Sequence, residues 1–180
     1  MSGASLKGDL GLPPLPDYLA QELRILFIGF NPGERSAQLG HYYAHPSNRF
    51  WWLLWQAGLT DRLLSPQEDA ALLQYGFGLT DLVDRPSKSS GDLAGWEMRS
   101  GCEQLLDKIR RFQPYIACYN GKGVYAGASG LKQFDYGLQP GRLVAGTIDF
   151  VAASPSGRSR EKLTDKLALY RELRNLIAIE

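Results

Sequence analysis

Short apolar runs alternate along the chain with longer segments in which apolar residues recur every three or four positions. The runs R-I-L-F-I (24–28), F-G-L-T-D-L-V (77–83) and Y-I-A-C-Y-N-G (115–121) read as strands, and L-V-A-G-T-I-D-F-V-A-A-S-P-S-G (143–157) as one or two more. Between them the helical period dominates. D-Y-L-A-Q-E-L (17–23) predicts a short helix capped by Asp17. In S-N-R-F-W-W-L-L-W-Q-A-G (47–58), Phe50, Leu53, Leu54 and Ala57 share one face, Ser47 can cap the start and Gly58 can stop the helix. Trp51, Trp52 and Trp55 on that helix read as core. Further helices are expected over 66–74, over 96–112, from Lys122 onward with softening glycines, and over 159–178. Residues 85–93 read as a polar loop, and 1–16, with P-P-L-P, as a loose arm ahead of a single domain spanning 17–180. Strands alternating with helices argue for an α/β domain with a mostly parallel sheet. Ligands of such sheets sit beyond the carboxyl ends of the strands. Those ends are G-F-N-P-G, T-D-L-V-D-R-P, Y-N-G-K and A-S-P-S-G-R-S-R.

Composition narrows the picture by exclusion. A chain of 180 residues with 44% hydrophobic residues suits one packed domain, not a disordered one. The net charge of +1 gives no global field, so any nucleic-acid footprint must be local. Two cysteines, Cys102 and Cys118, are too few for a disulfide framework or a four-cysteine cluster, and with only His41 and His45 beside them no metal site is expected. The thiol usage fits a reducing compartment. No run of 18 apolar residues exists, so no membrane association is expected and the reading is a soluble, cytoplasmic protein.

The strand ends carry the candidate chemistry, each beside a plainer reading. Asn31-Pro32-Gly33 is by composition a tight turn. In the functional reading, Asn31 is a neutral amide held at a strand end, able to orient a water but not to take its proton. Tyr42, Tyr43 and His45 either pack on the next helix or offer a stacking platform, worth about 1–3 kcal/mol per base. His41 and His45 stand four apart but lack the acidic partner of a metal motif. S-P-S-G-R-S-R (154–160) is a loop and helix cap, or a set of backbone N–H groups and cations for phosphate. Asp92 in S-S-G-D-L is an ordinary solvated carboxylate unless its loop folds over the same edge, where it could assist Asn31. Asp81 and Asp84 are its rivals, with Asp84 beside Arg85 reading as an ion pair. Lys122 is a surface lysine or a phosphate ligand. No G-x-S-x-G elbow supports a small-molecule hydrolase. A non-catalytic DNA- or nucleotide-binding domain using the same loops is the alternative to an enzyme.

G-F-N-P-G (29–33) followed by G-H-Y-Y-A-H-P-S-N-R-F-W (40–51) closely resembles the bacterial mismatch-specific uracil-DNA glycosylase and thymine-DNA glycosylase family. L-T-D-L-V-D-R-P, Y-N-G-K and S-P-S-G-R-S-R follow in the family's order. The resemblance spans about residues 24–175. It implies a single three-layer α/β/α domain around a mostly parallel sheet of four to five strands, with no metal and no cofactor. It implies a monomeric enzyme of the bacterial cytoplasm that acts on double-stranded DNA carrying mismatched or damaged pyrimidines, hydrolysing the N-glycosidic bond of uracil, preferentially opposite guanine. Carried over by position, Asn31 matches the water-positioning asparagine; apart from the resemblance, the flexible composition of its loop and its carboxylate make Asp92 the residue expected to assist it. Phe30 and Ser36 would line the base pocket through backbone, and Tyr43 would stack on the flipped base. Ser154 would contact the base. Gly157 and Ser159 would meet the widowed guanine, and Arg158 would fill the vacated stack; apart from the resemblance, Arg160 and Lys122 are expected by their charge to contact DNA phosphate. Three positions depart from the family: Arg158, often Leu in the bacterial branch; Ser154, often Asn or Met; and Tyr43, commonly Phe.

Overall fold

Five strands form the central sheet of the computed structural model, which describes residues 6–178: β1 (Ile25–Gly29), β2 (Phe77–Asp81), β3 (Ile116–Asn120), β4 (Gly137–Leu138) and β5 (Ile148–Ala152). Their order is β2-β1-β3-β5-β4. All neighbours are parallel except β4, which is antiparallel to β5. The apolar runs are what a sheet buried on both faces requires. Alternation then divides them: Ile25, Phe27, Ile116 and Cys118 join one core, while Leu26, Ile28, Ala117 and Tyr119 join the other.

Helices cover both faces. Helix α1 (Glu34–Leu39) and α2 (Phe50–Gln56) lie between β1 and β2, and α3 (Gly95–Phe112) between β2 and β3. Helix α4 (Lys122–Ser129) follows β3, and α5 (Leu163–Ile177) closes the described chain. Helix α2 packs with α5 over one core, α3 with α4 over the other, giving the three-layer domain expected from the sequence. Strand β1 is flanked by β2 on one side and β3 on the other, so the connections diverge at its carboxyl end and open a crevice there. Among the described residues no helix is long and apolar enough to cross a membrane.

Several local expectations are corrected. Residues 17–23 form no helix: Tyr18 donates its N–H to Leu79 O at 2.9 Å and accepts from Leu79 N at 3.0 Å, while Asp17 pairs with Lys108 at 2.8 Å. So short a helix has little stability of its own, and the outer edge of β2 offers hydrogen bonds in its place. The arm read as loose is laid down from residue 6 onward. It bridges to Ser87 at Asp9 and buries Leu15 in the core. Residues 66–75 form a kinked 3₁₀ segment. Of the tryptophans, Trp51 is core but Trp55 stands 40% exposed. Asp84 does not pair with Arg85; Arg85 turns to Glu97 and Asp84 lies 3.6 Å from Lys108.

Candidate active site

The ends of β1, β2 and β3 and the segment after β5 enclose a cavity of about 680 Å³, with Asn31, Tyr43, Asp81, Asn120 and Arg158 on its walls. Gly29, the last residue of β1, is dictated by crowding there: a Cβ would lie 2.2 Å from the Asp81 carboxyl. Phe30, Ser36 and Ser154, expected at the base pocket, also line the cavity.

Asn31 is fixed in one orientation. Its Nδ2 donates to Arg85 O at 2.9 Å and to Ser87 Oγ at 2.8 Å. Ser87 donates its own proton to Ser89 O at 2.7 Å, so it presents a lone pair to the amide. Both acceptors therefore take the amine end, and Oδ1, which has no hydrogen-bond partner among the described residues, can accept from a water or ligand. The 85–89 loop is itself held. Arg85 reaches both Glu97 oxygens, at 2.5 and 3.1 Å, and the guanidinium keeps that carboxyl below its ordinary range.

Tyr43 is the second fixed element. It adopts a left-handed φ of 53°, uncommon for a residue with a side chain, and its ring lies 4.0 Å from that of Phe50. Its hydroxyl accepts from Asn120 Nδ2 at 2.8 Å, and Asn120 Oδ1 accepts from Tyr170 at 3.0 Å. Burial pushes the Tyr43 hydroxyl well above its ordinary value, with the neighbouring Asp81 adding to it, so the proton stays on. Asn120 is a site residue that sequence reading passed over. Its position in Y-N-G-K, the end of a buried strand, was the available signal.

The two carboxylates exchange places relative to expectation. Asp92 does not line the cavity. In S-S-G-D it closes a capping box, accepting from Ser89 N at 3.1 Å, and lies 3.6 Å from Lys7. Asp81 does line it, 6% exposed. Burial pushes its carboxyl up to about 8, and the nearby Asp17 and Asp84 carboxylates add to the shift against Lys108. Burial thus favours the protonated carboxyl, and in that form Asp81 can donate a hydrogen bond into the cavity. It sits deep, level with Gly29 in the β1–β2 register, whereas half-buried Asn31 lies two residues further out.

The 154–160 segment forms the opposite rim. Ser156 organises it, its N–H donating to Ser154 Oγ at 3.3 Å, its Oγ accepting from Arg158 N at 3.2 Å and its carbonyl from Ser159 N at 3.2 Å. Beneath it Lys166, 4% exposed, donates to Ser156 O at 2.9 Å. Gly157 lies so close to Ser47 that a Cβ would stand 2.6 Å from it. Arg158 is exposed at the rim and shares the cavity with Asn31. Ser159 bonds to Glu161, and neither Ser159 nor Arg160 lines the cavity. Lys122 is turned away altogether: its ammonium donates to Phe134 O at 2.9 Å and lies 4.7 Å from the Tyr136 ring centroid. His41 pairs with Asp69 at 3.2 Å. Among the described residues no three His, Cys, Asp or Glu side chains cluster so as to hold a metal ion.

The sequence model of the uracil DNA glycosylase superfamily matches residues 16–177. Among solved structures, the solution NMR structure of a Methanosarcina acetivorans protein described as a candidate uracil DNA glycosylase superposes with a TM-score of 0.54 at 22% identity, covering 90% of this chain and 98% of that one. At that identity the likeness bears on fold alone.

Proposed function

The chain belongs to the uracil DNA glycosylase superfamily, and on that premise we propose that it is a monofunctional glycosylase of base excision repair. Its substrate is uracil, with related damaged pyrimidines, in double-stranded DNA, preferentially opposite guanine. A base inside a duplex is out of reach, so it must be extruded at a cost of a few kcal/mol. Arg158, exposed on the rim, refills the stack with its flat guanidinium and bonds to a base edge or phosphate. The flipped pyrimidine lies against the Tyr43 ring.

Bond cleavage gives an oxocarbenium-like sugar and an anionic base. Asn31 Oδ1 orients the water that captures the sugar. Asp81, deeper and protonated, donates to a pyrimidine oxygen as negative charge gathers there. This role replaces the one expected of Asp92, whose carboxylate is engaged outside the cavity. Asn31 cannot take the proton that this water sheds, so that proton passes to the departing pyrimidine anion, and slow turnover is expected.

The observation that carries this reading is the fixed orientation of Asn31, its amine end bonded to the 85–89 loop, in the cavity that Tyr43 and Arg158 share. The test is single-turnover cleavage of a U·G duplex, read as alkali-labile abasic strands. The wild-type protein is expected to release uracil, and Asn31→Ala to be slower by about 10²-fold or more, the scale of removing one fixed polar group from a transition state. A protein that binds the duplex but leaves no alkali-labile site is a binding module, and the proposal then fails.

A further inference from the structure

The segment 6–18 runs past the candidate site as a strap along the outer edge of β2. It is anchored by the Tyr18–Leu79 backbone pair, by Asp17 to Lys108 at 2.8 Å, by Thr80 donating to Asp17 at 2.7 Å, and by Tyr18 donating to Asp69 at 3.0 Å. Its far end bridges to Ser87 at Asp9. Within this strap only Leu15 is buried, at 9% exposed, between exposed Pro14 and Pro16. Prolines on both sides hold the backbone extended and reduce the entropy lost in presenting that one side chain. Continuing the antiparallel register from Tyr18–Leu79 carries the strap past Asp81 at Leu15 and Pro16. Leu15, Gly29, Tyr42 and Asp81 all line the cavity. Leu15 thus faces the deep end, where the polar groups are otherwise Asp81 and the Tyr43–Asn120 pair.

We propose that Leu15 is a specificity-determining residue: it forms the apolar wall that limits the size of the ring substituent a pyrimidine carries into this cavity. The inference rests on the glycosylase reading above. An apolar wall discriminates by bulk, and one methylene is worth about 10- to 200-fold between substrates. A rigid strap suits that task, because a wall that yields discriminates little.

The experiment uses the full chain and U·G duplexes in which uracil is replaced by thymine or by longer 5-alkyluracils. Leu15→Ala is expected to raise the kcat/KM ratio of the bulky base to uracil by about tenfold or more, and Leu15→Phe to lower it. Ratios unchanged in both folded variants overturn the proposal. Should the alanine variant melt below the assay temperature, Leu15→Val removes a single methylene and keeps the comparison. A second readout does not need catalysis. The Leu15 methyl resonances, identified by their loss in Leu15→Val, are expected to shift when free uracil is titrated into the protein. Methyls that stay fixed while the Tyr43 ring signals move place the wall elsewhere and overturn the inference. A wild-type protein that releases no base sinks the glycosylase reading, whereas the titration still decides the position of Leu15.

Discussion

The deep wall and the rim of the cavity are built on opposite plans. On the wall, half-buried Tyr43 and buried Asn120 and Tyr170 form a continuous hydrogen-bonded chain, with Tyr43 in a backbone conformation rare for its type. On the rim, Arg158 is exposed, and the bonds lie beneath it, among backbone groups, serine hydroxyls and Lys166. The wall must hold a shape smaller than a solvation shell, so its polar groups satisfy one another and leave little freedom. The rim must enter a duplex, so its working side chain is excused from packing. Stability and activity should therefore be inseparable on the wall and separable on the rim.

The sharpest way to break that contrast is Asn120→Leu. It leaves the Tyr170 hydroxyl, buried and deprived of its acceptor, and Tyr43 without its donor. Unsatisfied buried groups cost about 1–3 kcal/mol each. The variant is expected to lose several degrees of Tm and uracil excision together. Normal stability with abolished excision would show that wall and fold are independent after all.

Asp81 sharpens the comparison through pH. Its carboxyl titrates near the ordinary 3.8 when unfolded and at about 8 when folded, so the folded state holds the proton more tightly. Stability from this group is complete below about 4 and declines as pH rises toward about 8. Asp81→Asn removes that slope. The melting temperature of the variant relative to wild type is expected to rise from pH 5 to pH 8. The amide also retains a donor, so wild-type excision should fall above about pH 8 while the variant's does not. Parallel melting profiles would place the ionisation elsewhere.

Arg158→Ala tests the rim. Being exposed, Arg158 contributes nothing to the cores, and Tm is expected to stay within about a degree. Affinity for duplex carrying the abasic product should fall about tenfold, the scale of one lost charge-assisted contact. Unchanged product affinity, measured by anisotropy, removes Arg158 from the stack.

Much of this was legible in the sequence, for reasons that also mark where reading stopped. Strands buried on both faces announce themselves as apolar runs, so the sheet and its carboxyl edge followed directly, and Asn31, Tyr43 and Arg158 fall on one cavity. The helix expected over 17–23 failed because local periodicity cannot see the edge hydrogen bonds of β2. The choice between Asp81 and Asp92 failed differently. Asp92 sits in a loop whose composition suggested freedom, yet Ser89 and Asp92 stand three apart as a capping pair, a local signal that outweighs composition. Asp81 sits in a strand, where a carboxylate looks structural until its neighbours are known. For Lys122 the sequence leaves a surface lysine and a phosphate ligand equally open, since nothing nearby in sequence announces the carbonyl of Phe134 and the Tyr136 ring.

The smallest expected effect belongs to Lys166, which joins the two plans. It stands on α5, buried, and bonds the Ser156 carbonyl from below. That carbonyl also accepts from Ser159 N, so Lys166 supports the turn on which Arg158 is mounted without reaching the cavity itself. Lys166→Met keeps the aliphatic stem and removes the donor. Burial already pushes the Lys166 ammonium below its ordinary value, so removing the charge relieves desolvation as it loses the bond, and Tm should change little. The rim, however, loses the strut that fixes its angle. Product affinity is expected to fall a few-fold, less than for Arg158→Ala, and the two substitutions combined should cost no more than Arg158→Ala alone, since the strut acts only through the residue it carries. Additive losses would mean that Lys166 meets the DNA by a route of its own.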